Sequence, residues 1–191
     1  MKEEVENHIP HLKEGDEQAF RHIYEATKDE VTRTAAFLAN RPSDVPDIVS
    51  EVYVELIRSI DSYNEKLPFR QWLYGLTARQ TANWNRKVWR YFRIAEKEKR
   101  YISSPAAKIP EEIWLRKERR LELTDRVRRL SGKLRAVVVL RYYHEMSFPE
   151  IAETLAIPIG TVKSRHDQAL KKLKVWTETK TEEKESKAHV Y

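Results

Sequence analysis

Cysteine is absent from the sequence, and glycine is scarce, with four among 191 residues. Without cysteine the chain can form no disulfide framework, no thiolate metal site and no thiol nucleophile, which suits a reducing compartment. Few glycines disfavour turn-rich β-structure, while 35% charged and 40% hydrophobic residues favour helices around a core. We therefore predict an all-α chain that holds one ordinary domain or two small ones.

Long apolar runs are also missing, and none approaches the roughly 18 residues needed to span a bilayer. The acidic start MKEEVENHIP differs from a signal peptide. The histidines form no pair at metal-ligand spacing, and no Gly-rich phosphate loop occurs. We expect a cytoplasmic protein that is not membrane-inserted and not an enzyme, with no metal, no cofactor and no small-molecule substrate.

The stretch from Ser147 to Leu173 has the pattern of two short helices that meet at a turn. Apolar residues recur at helical spacing, Ala156-Ile157-Pro158-Ile159 interrupts them, and a second helix is expected to begin near Thr161. That helix carries five bases against one acid, and in a docked helix-turn-helix its polar side chains would meet base edges. A solvated face on a helical bundle is the alternative. The candidate DNA-binding residues are Thr161, Lys163, Ser164, Arg165, Asp167, Gln168 and Lys171.

The first 30 residues are acidic, with nine acids against four bases, and are not expected to form a DNA surface. Gly15-Asp16 reads as a helix stop followed by an N-cap, and a helix should run from there to about Asn40. A second helix is predicted from about Val45 to Ser62. Its inward residues would be Ile48, Val49, Val52, Leu56, Ile57 and Ile60. Its outer face carries an acidic strip, which is either solvated charge or a protein-docking face: Asp47, Glu51, Glu55 and Arg58.

A basic helix is predicted from Phe69 to about Arg93, after a polar loop at residues 61–68. Helical spacing places one apolar side opposite a ridge of cations that would track phosphates well. The apolar side comprises Leu73, Thr77, Trp84, Val88 and Tyr91. The ridge comprises Arg79, Asn83, Arg86, Arg90 and Arg93. Aromatic rings near the charge could stack unpaired bases, although Trp84 and Tyr91 are assigned to the core, and Trp72 and Trp89 are left open between the two roles.

Periodicity fades between the two halves of the chain, which predicts an interdomain linker at residues 96–110. The domains are then residues 1–95 and 111–176. In the second, LRAVVVLRYY reads as a helix that packs on the helix-turn-helix through Val137, Val138, Leu140 and Tyr142. Residues 177–191 lack an apolar period and are predicted to be disordered.

Four motifs in this order resemble the sigma-70 family of bacterial sigma factors, most closely the small extracytoplasmic-function (ECF) type. They are GD-x-x-AF from Gly15, D-I-V-x-E-V-Y from Asp47, F-R-x-W-L-Y from Phe69, and S-F-x-E-I-A-E-x-L-x-I-P-x-G-T-V-K-S-R from Ser147. The likeness covers about residues 12 to 175. It implies two helical domains that bind core RNA polymerase and promoter DNA, and a cognate anti-sigma factor as a further partner.

The resemblance also implies residue roles. The acidic strip matches the contact with core polymerase. The helix-turn-helix residues named above match the reader of the −35 promoter element. Recognition and melting of the −10 element would fall to Asn64, Lys66, Trp72, Arg79, Asn83, Arg86, Lys87 and Arg90.

Several positions depart from the family pattern. Arg79 and Asn83 stand where Asn and Asp are frequent, and Asp167, Gln168 and Leu170 interrupt a usual basic run. These departures predict an atypical promoter sequence. His166 replaces a usual apolar residue and is expected to be a satisfied, partly buried histidine rather than a metal ligand or a pH switch.

Two other function classes remain at this stage. A helix-turn-helix repressor or activator could act without docking on polymerase, but the acidic strip and the arginine ridge would then lack a role. A nuclease is disfavoured because the acids are scattered at helical surface spacings.

Overall fold

The computed structural model describes residues 5–98 and 126–188, and every regular element in these two stretches is a helix. The chain divides into two compact units between Ile113 and Trp114. The predicted all-α architecture with two helical domains is confirmed. From position 99 onward the predicted linker lies outside the described residues, as do positions 111–125 of the predicted second domain.

In the described part of the first unit, residues 5–6 are helical and four helices follow: α1 (Ile9–Lys13), α2 (Glu17–Leu38), α3 (Val45–Ser59) and α4 (Phe69–Glu98). Short 3-10 helices at Pro42–Asp44 and Ile60–Ser62 flank α3. The start of α2 is as predicted: Gly15 has a left-handed φ of 85°, and the Asp16 carboxylate accepts a hydrogen bond of 2.7 Å from the Gln18 amide. This cap satisfies one of the amides that a helix start leaves unpaired.

Helices α2, α3 and α4 pack pairwise around one core. Ile23, Ile48, Leu56 and Leu73 are fully buried there, and each contributes about 1.5–3 kcal/mol by leaving water. Ile57 was predicted to point inward, but its side chain is 52% exposed. It stands about 100° around α3 from the centre of the buried face, where the neighbouring helices no longer cover it.

Where the structure describes the second unit, it has a helical stretch at residues 126–129 followed by α5 (Gly132–Tyr142), α6 (Phe148–Leu155) and α7 (Ile159–Ala188). A capping box starts α6: the Ser147 amide donates to the Glu150 carboxylate at 2.6 Å, and the Glu150 amide donates to the Ser147 hydroxyl at 3.4 Å. Ala156, with φ of 52°, ends α6 in the left-handed region and opens the turn. The predicted helix-turn-helix is therefore α6, this turn and α7.

The start of α7 differs from the expectation. The helix begins at Ile159, two residues before Thr161, and the Thr161 and Val162 amides bond to the Pro158 carbonyl at 2.9 and 3.2 Å. Pro158 suits this place because its missing N–H removes a donor that the first turn could not satisfy. Tyr142 was predicted to pack inward, but it is 58% exposed at the last position of α5.

The end of α7 lies within the predicted tail. The helix continues to Ala188, past residue 177, where the sequence predicts disorder to begin. The tail has no apolar period, but Glu, Lys and Ala are strong helix formers, and Glu183 with Lys187 has the favourable i, i+4 spacing. Among the described helices, none combines the length and apolar character that a bilayer crossing requires.

Candidate nucleic-acid interface

The outer ridge of α4 is exposed along its whole length, from Arg79 through Asn83, Arg86 and Arg90 to Arg93. The Arg86 guanidinium donates a hydrogen bond of 2.6 Å to the Asn83 side chain, which holds the two groups together. Partial desolvation lowers the pKa of Arg79, and the nearby Glu55 carboxylate on α3 acts in the opposite direction. The ridge and the acidic strip are therefore neighbouring surfaces of one unit.

Two cation-aromatic pairs flank this ridge. On one edge the Arg93 guanidinium lies 4.6 Å from the ring centroid of Trp89, which is 57% exposed, and on the other Lys87 lies 5.4 Å from Trp84. Trp84 packs partly against the core, as predicted, whereas Tyr91 is 71% exposed and not a core residue. Val88, three residues earlier on the same side of α4, is still half-buried.

Trp72 is half-buried rather than free. Its ring packs against the core and lies 5.2 Å from Tyr63 and 5.8 Å from Phe69, centroid to centroid. Trp72 thus packs beneath the loop at residues 61–68, and part of its side chain remains exposed to solvent.

Polar contacts fix α4 on α2. Midway along α4, the Asn85 amide group donates to the Leu38 carbonyl and accepts from the Asn40 amide, both at 3.2 Å. Nearer its start, Arg70 forms an ion pair with Glu30, and the Tyr74 hydroxyl donates to the same carboxylate at 3.1 Å. Burial raises the pKa of Tyr74 to about 12, so this donor keeps its proton. These contacts hold the ridge in one orientation.

The loop at residues 61–68 is closed by its own hydrogen bonds. The Tyr63 hydroxyl donates to the Leu67 carbonyl at 2.7 Å, and the Lys66 amide donates to the Asn64 side chain at 2.8 Å. Asn64 and Lys66, both predicted site residues, are exposed on this loop.

The N-terminal segment, residues 5–13, lies against this loop, which sequence reasoning missed. Together they line a cleft of about 490 Å³, with Asn7 and Ile9 on one wall and Tyr63 and Lys66 on the other. Stacking of His8 on His22, with centroids 4.7 Å apart, adds a contact between the segment and α2. The available signal was Val5, Ile9 and Leu12, which recur at helical spacing and are buried.

The acidic strip on α3 is accessible. Asp47, Glu51 and Arg58 are exposed, and Glu55 is half-buried. Beside them stand two exposed apolar side chains, Val54 and Ile57, which the prediction either omitted or assigned to the core. A patch of acids and apolar groups is typical of a surface that docks a protein rather than DNA.

The seven candidate residues of α7 lie on one accessible side of the helix. Lys163, Ser164, Asp167, Gln168 and Lys171 are exposed as their spacing predicts, and Thr161 and Arg165 are half-buried. The Gln168 amide donates to the Ser164 hydroxyl at 3.1 Å. On the opposite side, Val162 and Ala169 are fully buried and anchor the helix.

His166 of α7 contacts both α5 and α6. Its Nε2 lies 3.0 Å from the Tyr142 hydroxyl of α5, and Phe148 of α6 meets its ring edge-on at 5.0 Å. The side chain is 12% exposed, and Nδ1 lies 3.4 Å from the Asp167 carboxylate. The histidine is thus partly buried and hydrogen-bonded, as expected.

In comparisons with known proteins, the two units match separate family profiles. A family profile of sigma-70 region 2 matches residues 23–91, and one of sigma-70 region 4 matches residues 127–175. The ECF RNA polymerase sigma factor SigW of Bacillus subtilis is 28% identical over 176 residues, covering 84% of this chain and 90% of the relative. The ECF RNA polymerase sigma-E factor of Escherichia coli K12 is 29% identical over 167 residues, covering 82% and 85%.

A solved structure shares the fold. The sigma factor RpoE of Bartonella quintana, crystallised with the anti-sigma factor NepR, is similar with a TM-score of 0.67 at 18% identity, covering 83% of this chain and 96% of that chain.

Proposed function

The chain belongs to the ECF group of the sigma-70 family, and from this premise we propose that it binds core RNA polymerase and directs it to a specific set of promoters. Sigma factors are transcription initiation factors rather than catalysts, and we propose no catalytic role for this one. One observation carries the proposal. The region 2 and region 4 matches fall on the two helical units in order, and each unit exposes a cationic helix face.

Core polymerase is proposed to dock on α3. The acidic strip is supported in this role by its exposure and by the adjacent apolar side chains of Val54 and Ile57, which could be buried in a complex. Arg58 ends the strip with a base, so a partner surface would have to present both signs of charge in register.

The −10 element is proposed to bind along α4 and the loop before it. Melting DNA costs stacking energy of about 1.4 kcal/mol per step, so the protein must offer new contacts to the opened strand. Exposed guanidinium groups can hold phosphates, and accessible rings beside cations can stack on unpaired bases. The proposed residues are Asn64, Lys66, Trp72, Arg79, Asn83, Arg86, Lys87 and Arg90.

The −35 element is proposed to bind at α7. Asp167 and Gln168 add an acceptor and an amide to a basic helix, so reading of base edges should count for more than charge alone. We therefore expect the −35 sequence to differ from one read by an uninterrupted basic helix. Selection from random DNA that returned the family's usual −35 motif would contradict this expectation.

Two further aspects belong to the proposal. We place the protein's action in the cytoplasm, where it would meet polymerase and chromosomal DNA. We also propose a cognate anti-sigma factor as a partner, because a structural relative was crystallised with one. Co-purification of the protein from its own cells tests binding to core polymerase and to an anti-sigma factor.

The decisive experiment is in vitro transcription with purified core polymerase on a library of upstream fragments from the protein's own genome. New start sites should appear with the protein and vanish on the charge reversal Asp47→Lys with Glu51→Lys. The matched control is Glu25→Lys with Asp29→Lys, which reverses two exposed acids at the same i, i+4 spacing on α2. DNA binding without polymerase-dependent initiation would instead support a repressor or activator.

A further inference from the structure

A polar cleft in the second unit lies between the start of α5 and the accessible side of α7. Its volume is about 520 Å³, and its walls include Ser131 and Lys133 on one side and Ser164, Arg165 and Lys172 on the other. Only Ser164 and Arg165 of these five were candidates from the sequence. The cleft therefore adds a second element, α5, to a surface that spacing had assigned to one helix.

Every charged residue that lines this cleft is a cation. Lys133, Arg165 and Lys172 converge on it, and no carboxylate lines it. Within residues 5–98 and 126–188, none of these three forms an ion pair. The Ser131 side chain makes no capping hydrogen bond although it stands at the N-cap of α5. The cleft thus concentrates donors whose charge the described protein does not neutralise, which favours an anionic ligand.

The geometry of α7 divides its accessible side into two flanks. Thr161, Arg165, Gln168 and Lys172 repeat at helical spacing and line the cleft toward α5. Lys163, Asp167 and Lys171 repeat along the other flank and are absent from the cleft lining. When a helix lies in a major groove, its centre meets base edges while neighbouring elements meet the bordering strand.

We propose that this cleft holds a backbone phosphate of the DNA strand that borders the −35 element, with Lys133 and Lys172 as the principal contacts. The proposal rests on the proposed function and assigns two roles, positioning and base reading, to its −35 residues. Lys133 and Lys172 position the duplex without reading sequence, and base discrimination belongs to Asp167 and Gln168. A DNA phosphate is favoured over a free anion because Ser164 and Gln168 join the cleft directly to the predicted base-reading surface.

Phosphate neutralisation tests the contact directly. Duplexes are selected from random DNA by the full chain, alone and with core polymerase, and single phosphates flanking the −35 sequence are then replaced by uncharged methylphosphonates. We expect one or two replacements to weaken wild-type binding, and the same replacements to have no effect on the variant Lys133→Ala with Lys172→Ala. The variant itself should bind roughly tenfold more weakly on every duplex, with a salt slope lower by about 0.9 per lost phosphate contact.

The control is Arg21→Ala with Lys28→Ala, which removes two cations from α2 that pair with Glu17 and Glu25. It should leave the slope and the methylphosphonate pattern unchanged. Because Lys133 and Lys172 are exposed, the variant should keep the wild-type circular dichroism melt. The proposal is overturned if the variant changes base preference, if it retains the methylphosphonate effects, or if neither form of the protein selects a duplex.

Binding and initiation are measured separately, so the two proposals can fail independently. A chain that shows the cleft effects on duplex DNA but supports no initiation would keep the phosphate contact and remove the sigma-factor assignment of function. A chain that initiates transcription but shows no cleft effects would keep the sigma-factor assignment and remove the phosphate contact.

Discussion

Helices α4 and α7 are both 30 residues long and both present basic faces, but they are held in different ways. Helix α4 buries its inner side in a core shared with α2 and α3, and polar contacts from Arg70, Tyr74 and Asn85 fasten it further. Among the described side chains, α7 buries Val162 and Ala169 and packs His166 against Tyr142 and Phe148.

The exposed faces of α4 and α7 also differ in composition. The ridge of α4 consists of arginines and one asparagine with aromatic rings at its edges, whereas α7 mixes lysines with Asp167, Gln168 and Ser164. Opening a duplex requires work against stacking, which demands a firmly held surface with many strong contacts. Recognition of a closed duplex requires a varied set of donors and acceptors instead.

The largest expected effect concerns the support of α4. Leu73→Ala would leave a cavity beneath the helix and lower the free energy of unfolding by about 2–5 kcal/mol. Denaturant titration of the full chain, followed by tryptophan fluorescence, measures the change. Ile57→Ala, on an exposed side chain, should stay within about 0.5 kcal/mol of wild type. Equal losses in the two variants would mean that α4 does not depend on its buried face.

The next effect concerns the ridge. Arg86→Ala with Arg90→Ala should reduce open-complex formation roughly tenfold and lower its salt dependence, because two phosphate contacts are lost. Permanganate reactivity of melted thymines at several salt concentrations measures this. The variant Arg21→Ala with Lys28→Ala is again the control for the loss of two cations. An unchanged salt slope would assign the ridge to something other than DNA.

A smaller and more selective effect is expected on α7. Asp167→Ala should reduce discrimination at one −35 position by about 1–3 kcal/mol while leaving the salt slope nearly unchanged. Binding to duplexes that carry each of the four base pairs at every −35 position reveals it. Glu153→Ala removes an exposed acid from α6 in the same unit and should leave the preference intact. A uniform rise in affinity for all duplexes would show that Asp167 acts only through its charge.

The last prediction concerns the stability of the second unit at acidic pH. Burial lowers the pKa of His144 from 6.5 to about 4, so between these values the unfolded chain binds more protons than the folded one. Stability from this group is therefore present above pH 6.5 and is lost as the pH falls toward 4. We expect the unfolding free energy of His144→Gln to decline less steeply over this window than that of wild type. Identical slopes for the variant and the wild-type protein would contradict the prediction.

Sequence periodicity was sufficient for much of this architecture. It predicted the Asp16 cap, most of the buried faces of α3 and α4, the exposed ridge and the helix-turn-helix, because each depends on local spacing or local hydrogen bonds. Ile57, Tyr91 and Tyr142 were assigned inward on apolar identity, but coverage depends on where neighbouring helices end. The spacing of a single helix carries no information on that point.

Contacts between distant segments were the other limit. The acidic first 30 residues were not expected to form a DNA surface, and sequence reasoning assigned no position to them. Burial of Val5, Ile9 and Leu12 places residues 5–13 against the loop at residues 61–68. In the same way, the spacing of α7 identified an accessible side but not the neighbour, Lys133 on α5, that divides it.

The hydrogen bonds of Asn85 have a mechanical consequence. They attach α4 to the end of α2, and residues 86–98 continue the helix beyond this attachment point. Thirteen residues at 1.5 Å each span about 20 Å. A tilt of about 10° at the attachment point would displace the far end of the helix by roughly 3.4 Å, the length of one base step. A small change of angle at this junction is thus amplified at the far end of α4.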